Sequence, residues 1–157
     1  MTAKSVVTRL AAFLLLLAIA QGVAAIDDQQ APVVGHWLTQ TMDGIIEIVA
    51  IADGKYEGRI VGGNNPQRAD VKNPDPALRS RLLRGQIILR DLRPEGDGKW
   101  SGGTIYDPDS GRTYKCVVTL VAPDRLKVRG FIGFSLLGRS QVWTRYLGTS
   151  MDLPPAR

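Results

Sequence analysis

The sequence predicts an all-β fold, an antiparallel up-and-down barrel of about eight strands with one short helix in the 63–84 connection. Three observations carry this. Apolar and polar residues alternate in short runs, and turn residues separate those runs. Strong helix formers are scarce, with three glutamates and six lysines among 157 residues. Seventeen glycines make about 11% of the chain, against an average near 7%.

The alternation places strands near 34–41, 44–52, 55–62, 85–92, 99–107, 112–121, 125–132 and 139–147. Asp43-Gly44 and Asp53-Gly54 supply residues that tolerate positive φ between the first three. Glu95-Gly96-Asp97-Gly98, Pro108-Asp109-Ser110-Gly111 and Ala122-Pro123-Asp124 mark later turns. Such connections are too short for parallel crossovers, so a meander follows, arranged as a closed barrel or as two packed sheets. Closure removes the exposed edges that an open meander carries. Between residues 63 and 84, Asn73-Pro74-Asp75-Pro76 stops any strand. Asp75 can cap a helix with Pro76 at its first position, Ala77 to Arg84 would make two turns, and Gly85 would end it. Gly58, Gly102, Gly103 and Gly130 are read as bulges or bends.

Lys4, Arg9 and the apolar run Leu10 to Ala20, followed by Val23-Ala24-Ala25, have the layout of a secretory signal peptide. Only seventeen uncharged residues lie between Arg9 and Asp27, short of the roughly 20 that span a bilayer. Cleavage after Ala25 is expected, with a periplasmic or secreted destination and no stable membrane span afterwards. Residues 26–147 then form one domain, and 148–157, with Pro154-Pro155, a mobile tail. Cleavage removes two basic groups, leaving eighteen against fifteen acidic ones, too small an excess to argue for nucleic acid. Residues 68–93 carry seven cations and three acids. Exposed, they could meet an anionic envelope surface. A solvated arginine-rich connection is the simpler reading. Cys116 has no internal partner and falls on the more apolar face of its strand, as a buried free thiol does.

One set of pieces runs through the chain in order: Gly35-His36-Trp37-Leu38-Thr39, Asp43-Gly44, Asn73-Pro74-Asp75 before Leu78-Arg79, and Trp100-Ser101-Gly102-Gly103. Further along come Ile105-Tyr106-Asp107-Pro108, Ser110-Gly111 with Tyr114 and Cys116, Arg129-Gly130-Phe131-Ile132-Gly133, and Trp143-Thr144-Arg145. In these pieces the chain resembles the DUF2147 family of small exported bacterial proteins. The resemblance implies a lipocalin-like barrel outside the cytoplasm with no established activity. Gly35-His36-Trp37 and Arg145 also resemble the Gly-x-Trp and late basic residue of calycin barrels. Arg145 is therefore expected over the Trp37 ring, closing the barrel bottom through a cation–π contact of roughly 0.5–2 kcal/mol.

Catalytic signatures are thin. His36 is the single histidine, and alternation turns it to solvent if Trp37 faces inward, so no triad assembles around it. Nothing local activates Cys116. Asp107 to Gly111 has acids at the first and third positions of a calcium loop, but its glycine falls at the fifth position and Val118 stands where the bidentate acid belongs, so it is read as a turn. No metal, cofactor or enzymatic activity is expected. Tyr56, Tyr114, Val128 and Gly130 are placed inside the barrel; Tyr106, Asp107, Arg129, Arg139 and Trp143 near its mouth. An apolar cavity with polar groups at its rim suits a small amphipathic or lipid-like ligand, or an envelope component, with an arginine such as Arg129 meeting an anionic headgroup. The alternative is a filled barrel, its core covered by Phe131, Phe134, Leu136 and Leu137, acting through the basic 68–93 segment on a membrane or protein partner.

Overall fold

The computed structural model describes residues 31–134, 136 and 138–155; the expected signal peptide, its cleavage point at Ala25, and Leu137 lie outside them. Eight antiparallel strands follow one another around a closed barrel: β1 (Gly35–Leu38), β2 (Gly44–Ile51), β3 (Lys55–Gly63), β4 (Ile87–Gly96), β5 (Lys99–Asp107), β6 (Arg112–Ala122), β7 (Arg125–Phe131) and β8 (Gly138–Arg145). The seam between the first and last strands is short, pairing Trp37 with Arg145 and Leu38 with Thr144. Each expected strand is present, with ends moved by a few residues.

Turn chemistry explains the tight connections. Asp53 and Gly54 have φ of 61° and 66°, and Asp97 and Gly98 have 51° and 67°, the left-handed pair that matches hairpin twist. The β1–β2 turn differs from expectation. Its left-handed residue is Met42 (φ 56°), and Gly44 already belongs to β2. Asp43 shapes that turn by accepting from the hydroxyls of Thr39 (2.7 Å) and Thr41 (2.5 Å).

The helix expected over Ala77–Arg84 reduces to one 3₁₀ turn, Pro76–Leu78, with Asp75 capping it through Ala77 N–H. Helical bonds beyond it are outcompeted. Asp70 N–H donates to the Arg81 carbonyl, Leu83 N–H donates to that of Arg68, and Ala69 bridges Leu82. The connection is thus a folded-back loop with its own short antiparallel contact.

Register shifts fall at Gly58 on β3 and between Trp100 and Gly103 on β5. At Gly103 a Cβ would sit 2.2 Å from the Arg90 carbonyl, so only glycine lets β4 approach there. Gly130 is no bulge: it lies in regular register between Cys116 and Arg139.

The core occupies the end of the barrel where Trp37, Leu92, Trp100, Val118 and Leu126 meet, all buried. Cys116 belongs to this cluster, and burial pushes its thiol pKa up to about 12. Phe134 and Leu136 do not cover the core, being 82% and 89% exposed on the β7–β8 loop. The tail, expected to be mobile, is tied down as far as Leu153. Gly63 N–H donates to the Met151 carbonyl, Leu153 N–H donates back to that of Gly63, and Asp152 accepts from Arg84 at 2.6 Å.

Candidate functional site

The two ends of the barrel are built differently. At the closed end, Arg145 lies over Trp37 with its guanidinium carbon 4.2 Å from the ring centroid. It also donates to the carbonyls of Val34 (3.1 Å), Pro123 (3.1 Å) and Pro32. Trp37 donates from Nε1 to the Val33 carbonyl at 2.8 Å, and Val33 is buried beneath it. Gly35 has φ of 123°, and a Cβ there would stand 3.0 Å from Arg145 Nη1. The glycine of Gly-x-Trp therefore leaves room for the arginine that covers the tryptophan.

The opposite end is open. A cavity of about 910 Å³ enters there, walled by Ile46, Ile60, Ile88, Ile105 and Val128 and reaching Trp143. The β1–β2 turn, the start of the 63–86 connection and the β5–β6 turn form its polar rim. Thr39, Asp43, Asn64, Arg68, Asp107 and Asp109 stand on it. Arg68 joins two of these turns, meeting Asp109 at 2.5 Å and Asp43 at 3.9 Å. Burial acts to raise the Asp43 pKa, but the bonds from Thr41 and Thr39 and the Arg68 charge outweigh it and hold the carboxyl below its ordinary value.

A second polar group fastens the connection to the wall. Asp70 is fully buried and accepts from Tyr106 Oη (2.5 Å), Asn73 Nδ2 (2.7 Å), and Arg81 Nη2 and Nε (3.0 and 3.2 Å). Burial again pushes its pKa upward, and these donors together with the Arg81 charge more than reverse the push, so Asp70 stays ionised. Tyr106 responds in the opposite sense: burial, then its bond to the Asp70 carboxylate, raise its pKa to about 12. It is thus a neutral donor committed to Asp70, while its ring lines the cavity.

The sequence-derived site residues divide accordingly. Tyr106, Asp107, Tyr114, Arg139 and Trp143 all line the cavity. Tyr56 does not; it points toward the closed half and packs edge-on against Trp100, with centroids 6.2 Å apart at 75°. Arg129 does not either. Its cross-strand partner is Ser140, and its guanidinium donates to Ser140 Oγ (3.0 Å) and the Leu136 carbonyl (3.2 Å). The alternation that turns Val128 and Gly130 inward turns Arg129 away from the cavity. Sequence reasoning missed Arg68, Asp43 and Gln141 as lining residues and the whole Asp70 group. Gln141 was within reach, since it shares a strand face with Arg139 and Trp143.

His36 stands outside, 3.7 Å from Glu47, both about a third exposed. Asp107 organises the β5–β6 turn by accepting from Ser110 Oγ (2.6 Å) and Asp109 N–H (3.0 Å). Among the described residues, no group of three or more His, Cys, Asp or Glu side chains is placed to hold a metal. No helix among them is long and apolar enough to cross a membrane. Of the seven cations in 68–93, Arg68, Arg81, Arg84 and Arg90 are ion-paired, and Arg79 and Arg93 donate to backbone carbonyls. Lys72 is left without such a partner among the described residues.

A closed eight-stranded antiparallel barrel with a sealed end, an open end and an internal cavity defines a lipocalin-like protein. Residues 35–145 match DUF2147, described as an uncharacterized protein conserved in bacteria, and the chain belongs to that family. Among solved structures it is similar to protein HP1028 from Helicobacter pylori, described as belonging to the lipocalin family. The two share 26% identity and a TM-score of 0.64, over 71% of this chain and 81% of that one. None of the curated proteins matches.

Proposed function

We infer that this is an exported, non-enzymatic binding protein that holds a small amphipathic or lipid-like molecule in the open half of its barrel. The observation that carries the reading is the unequal filling of the interior. Side chains pack one half solidly, while the other keeps a cavity of about 910 Å³ with aliphatic walls and a polar rim. That volume lies within the roughly 300–1,000 Å³ typical of small-molecule sites, and the distribution of polar groups suits a ligand with one wet end. Tyr106, Asp107, Tyr114, Arg139 and Trp143 are its proposed contacts. Export rests on the leader-like sequence of residues 1–25. The non-enzymatic reading rests on His36, which faces outward, and Cys116, which is buried with its pKa pushed up to about 12. The basic 68–93 segment has most of its cations engaged within the fold, which removes the main support for docking through that face.

Protein exported by its own leader and purified without detergent is compared by native and denaturing mass spectrometry. The expected result is a chain starting at Ile26, with an additional mass present only in the native spectrum. A bare chain in both, together with failure of added fatty acids and phospholipids to bind, would overturn the reading.

A further inference from the structure

We propose that the ligand carries an anionic head, a carboxylate or a phosphate monoester, held at the cavity mouth by Arg139; this rests on the binding reading above. Among the described residues, three arginines line the cavity. Arg68 is matched by Asp109 and Asp43. Arg84 is matched by Asp152 at 2.6 Å and also donates to the Val61 carbonyl at 2.9 Å. Arg139 has neither a carboxylate nor a carbonyl partner among the described residues. Asp107 is the lining acid without a cation, and its carboxylate is engaged in the β5–β6 turn by Ser110 Oγ (2.6 Å) and Asp109 N–H (3.0 Å), so the lining cation without an acidic partner falls on the β7–β8 wall.

Arg139 is exposed at the rim, and the backbone explains why it stands on the cavity side of the wall. Arg139 alternates with Gln141 and Trp143 along the inner face of β8, and its cross-strand partner is Gly130. With no side chain opposite, the stem of Arg139 has room at the rim. Below it, Trp143 Nε1 donates to Gln141 Oε1 at 3.0 Å, which fixes the amide with its NH₂ as the end left to donate. Val128 and Trp143 continue the wall as apolar surface. From rim to floor the wall presents a guanidinium, an amide donor and an indole, an order that matches an anionic head followed by an apolar chain. The guanidinium fork accepts a carboxylate or a phosphate in the same two-pronged geometry.

Dodecanoate, dodecyl phosphate and dodecanol share one chain and differ in the head. Each is titrated against the mature protein by displacement of the neutral probe N-phenyl-1-naphthylamine, at moderate salt and pH 8. The expected result is that at least one anionic ligand binds about tenfold more tightly than the alcohol, as a partly screened charge-assisted bond allows. Arg139→Gln should erase that preference, bringing the acids to within about twofold of dodecanol. A circular dichroism spectrum and urea midpoint equal to those of the wild type report that the variant is folded. Arg139→Lys should restore part of the preference. The tighter of the two acids identifies the head. Equal binding of alcohol and acids by the wild type would overturn the Arg139 assignment while leaving the binding reading intact. So would a preference for acids that survives in Arg139→Gln. Failure of all three ligands and of the probe would sink both.

Discussion

The closed and open ends of this barrel are held together by opposite means. The closed end is apolar packing under one stacked cation: Trp37, Val33, Trp100 and Leu126 are buried, and Arg145 lies across Trp37 while bonding three carbonyls. The open end is ordered by polar groups. Asp43 and Arg68 tie two turns together, and buried Asp70 holds the 63–86 connection against Tyr106. Packing stabilises by filling space, so an end built that way has no room for a ligand. Hydrogen bonds and ion pairs fix loops without occupying the interior. The difference shows how one short chain keeps a firm fold and an open cavity together.

The largest effect should come from breaking the packed end. Trp37→Ala removes a fully buried indole, its bond to Val33 and the surface on which Arg145 stacks. A loss of about 3–5 kcal/mol is expected, as for large aromatic truncations in cores. Urea unfolding followed by circular dichroism measures it. A loss below about 1 kcal/mol would mean that this end is not the main store of stability.

The polar end should give a smaller and more local response. Asp70→Asn keeps the shape but removes the charge that Arg81, Asn73 and Tyr106 address. Breaking a buried pair costs about 3–5 kcal/mol, and because the Arg81 side chain is one-third exposed the expected loss is about 2 kcal/mol. Hydrogen exchange should quicken in residues 68–86 and stay slow in β6 and β7. The pH dependence sharpens the contrast. The folded pKa of Asp70 lies below its ordinary value of 3.8, so the unfolded chain takes up the proton first. Its contribution is complete well above that value and is lost as pH falls through it toward the folded pKa. The wild type should therefore lose more stability between pH 6 and pH 3 than Asp70→Asn does. Equal acid sensitivity would show that Asp70 does not anchor this end.

The two ends also differ in how far the sequence discloses them. The closed end was largely legible, because alternation puts Cys116 and Val118 on one inner face and the resemblance to calycin barrels pairs Trp37 with Arg145, which the structure stacks at 4.2 Å. The open end was legible only in part: Tyr106, Asp107, Tyr114, Arg139 and Trp143 were placed there, but not the bonds that order it. Asp70 meets Tyr106 across 36 residues, a contact that no local pattern encodes. The connection reads as a helix from Asp75, Pro76 and Gly85, yet the Arg81 carbonyl accepts from Asp70 N–H and Leu83 N–H donates to the Arg68 carbonyl instead. Long-range bonding overrode a sound local signal. The choice between Arg129 and Arg139 was within reach, since parity with Val128 and Gly130 decides it.

The smallest effect belongs to the outer wall, and it tests whether the interior alone matters. His36 stands one residue before Trp37 on β1, so alternation points it away from everything the closed end packs. Among the described residues its ionic neighbour is Glu47, 3.7 Å away and similarly exposed. Exposed pairs of that separation contribute little, and His36→Ala should change stability by less than about 0.5 kcal/mol. Binding of an amphiphile in the cavity should be unchanged, because the cavity enters at the other end and on the other face of the sheet. If this substitution instead weakened binding, or abolished turnover of an ester or phosphate substrate, the chemistry would have to lie on the outer surface, and the division between a packed end and a binding end would fail. The adjacent pair Trp37→Ala and His36→Ala thus disturbs the two faces of one strand, and the contrast between their effects reports how far this protein's stability is held inside its barrel.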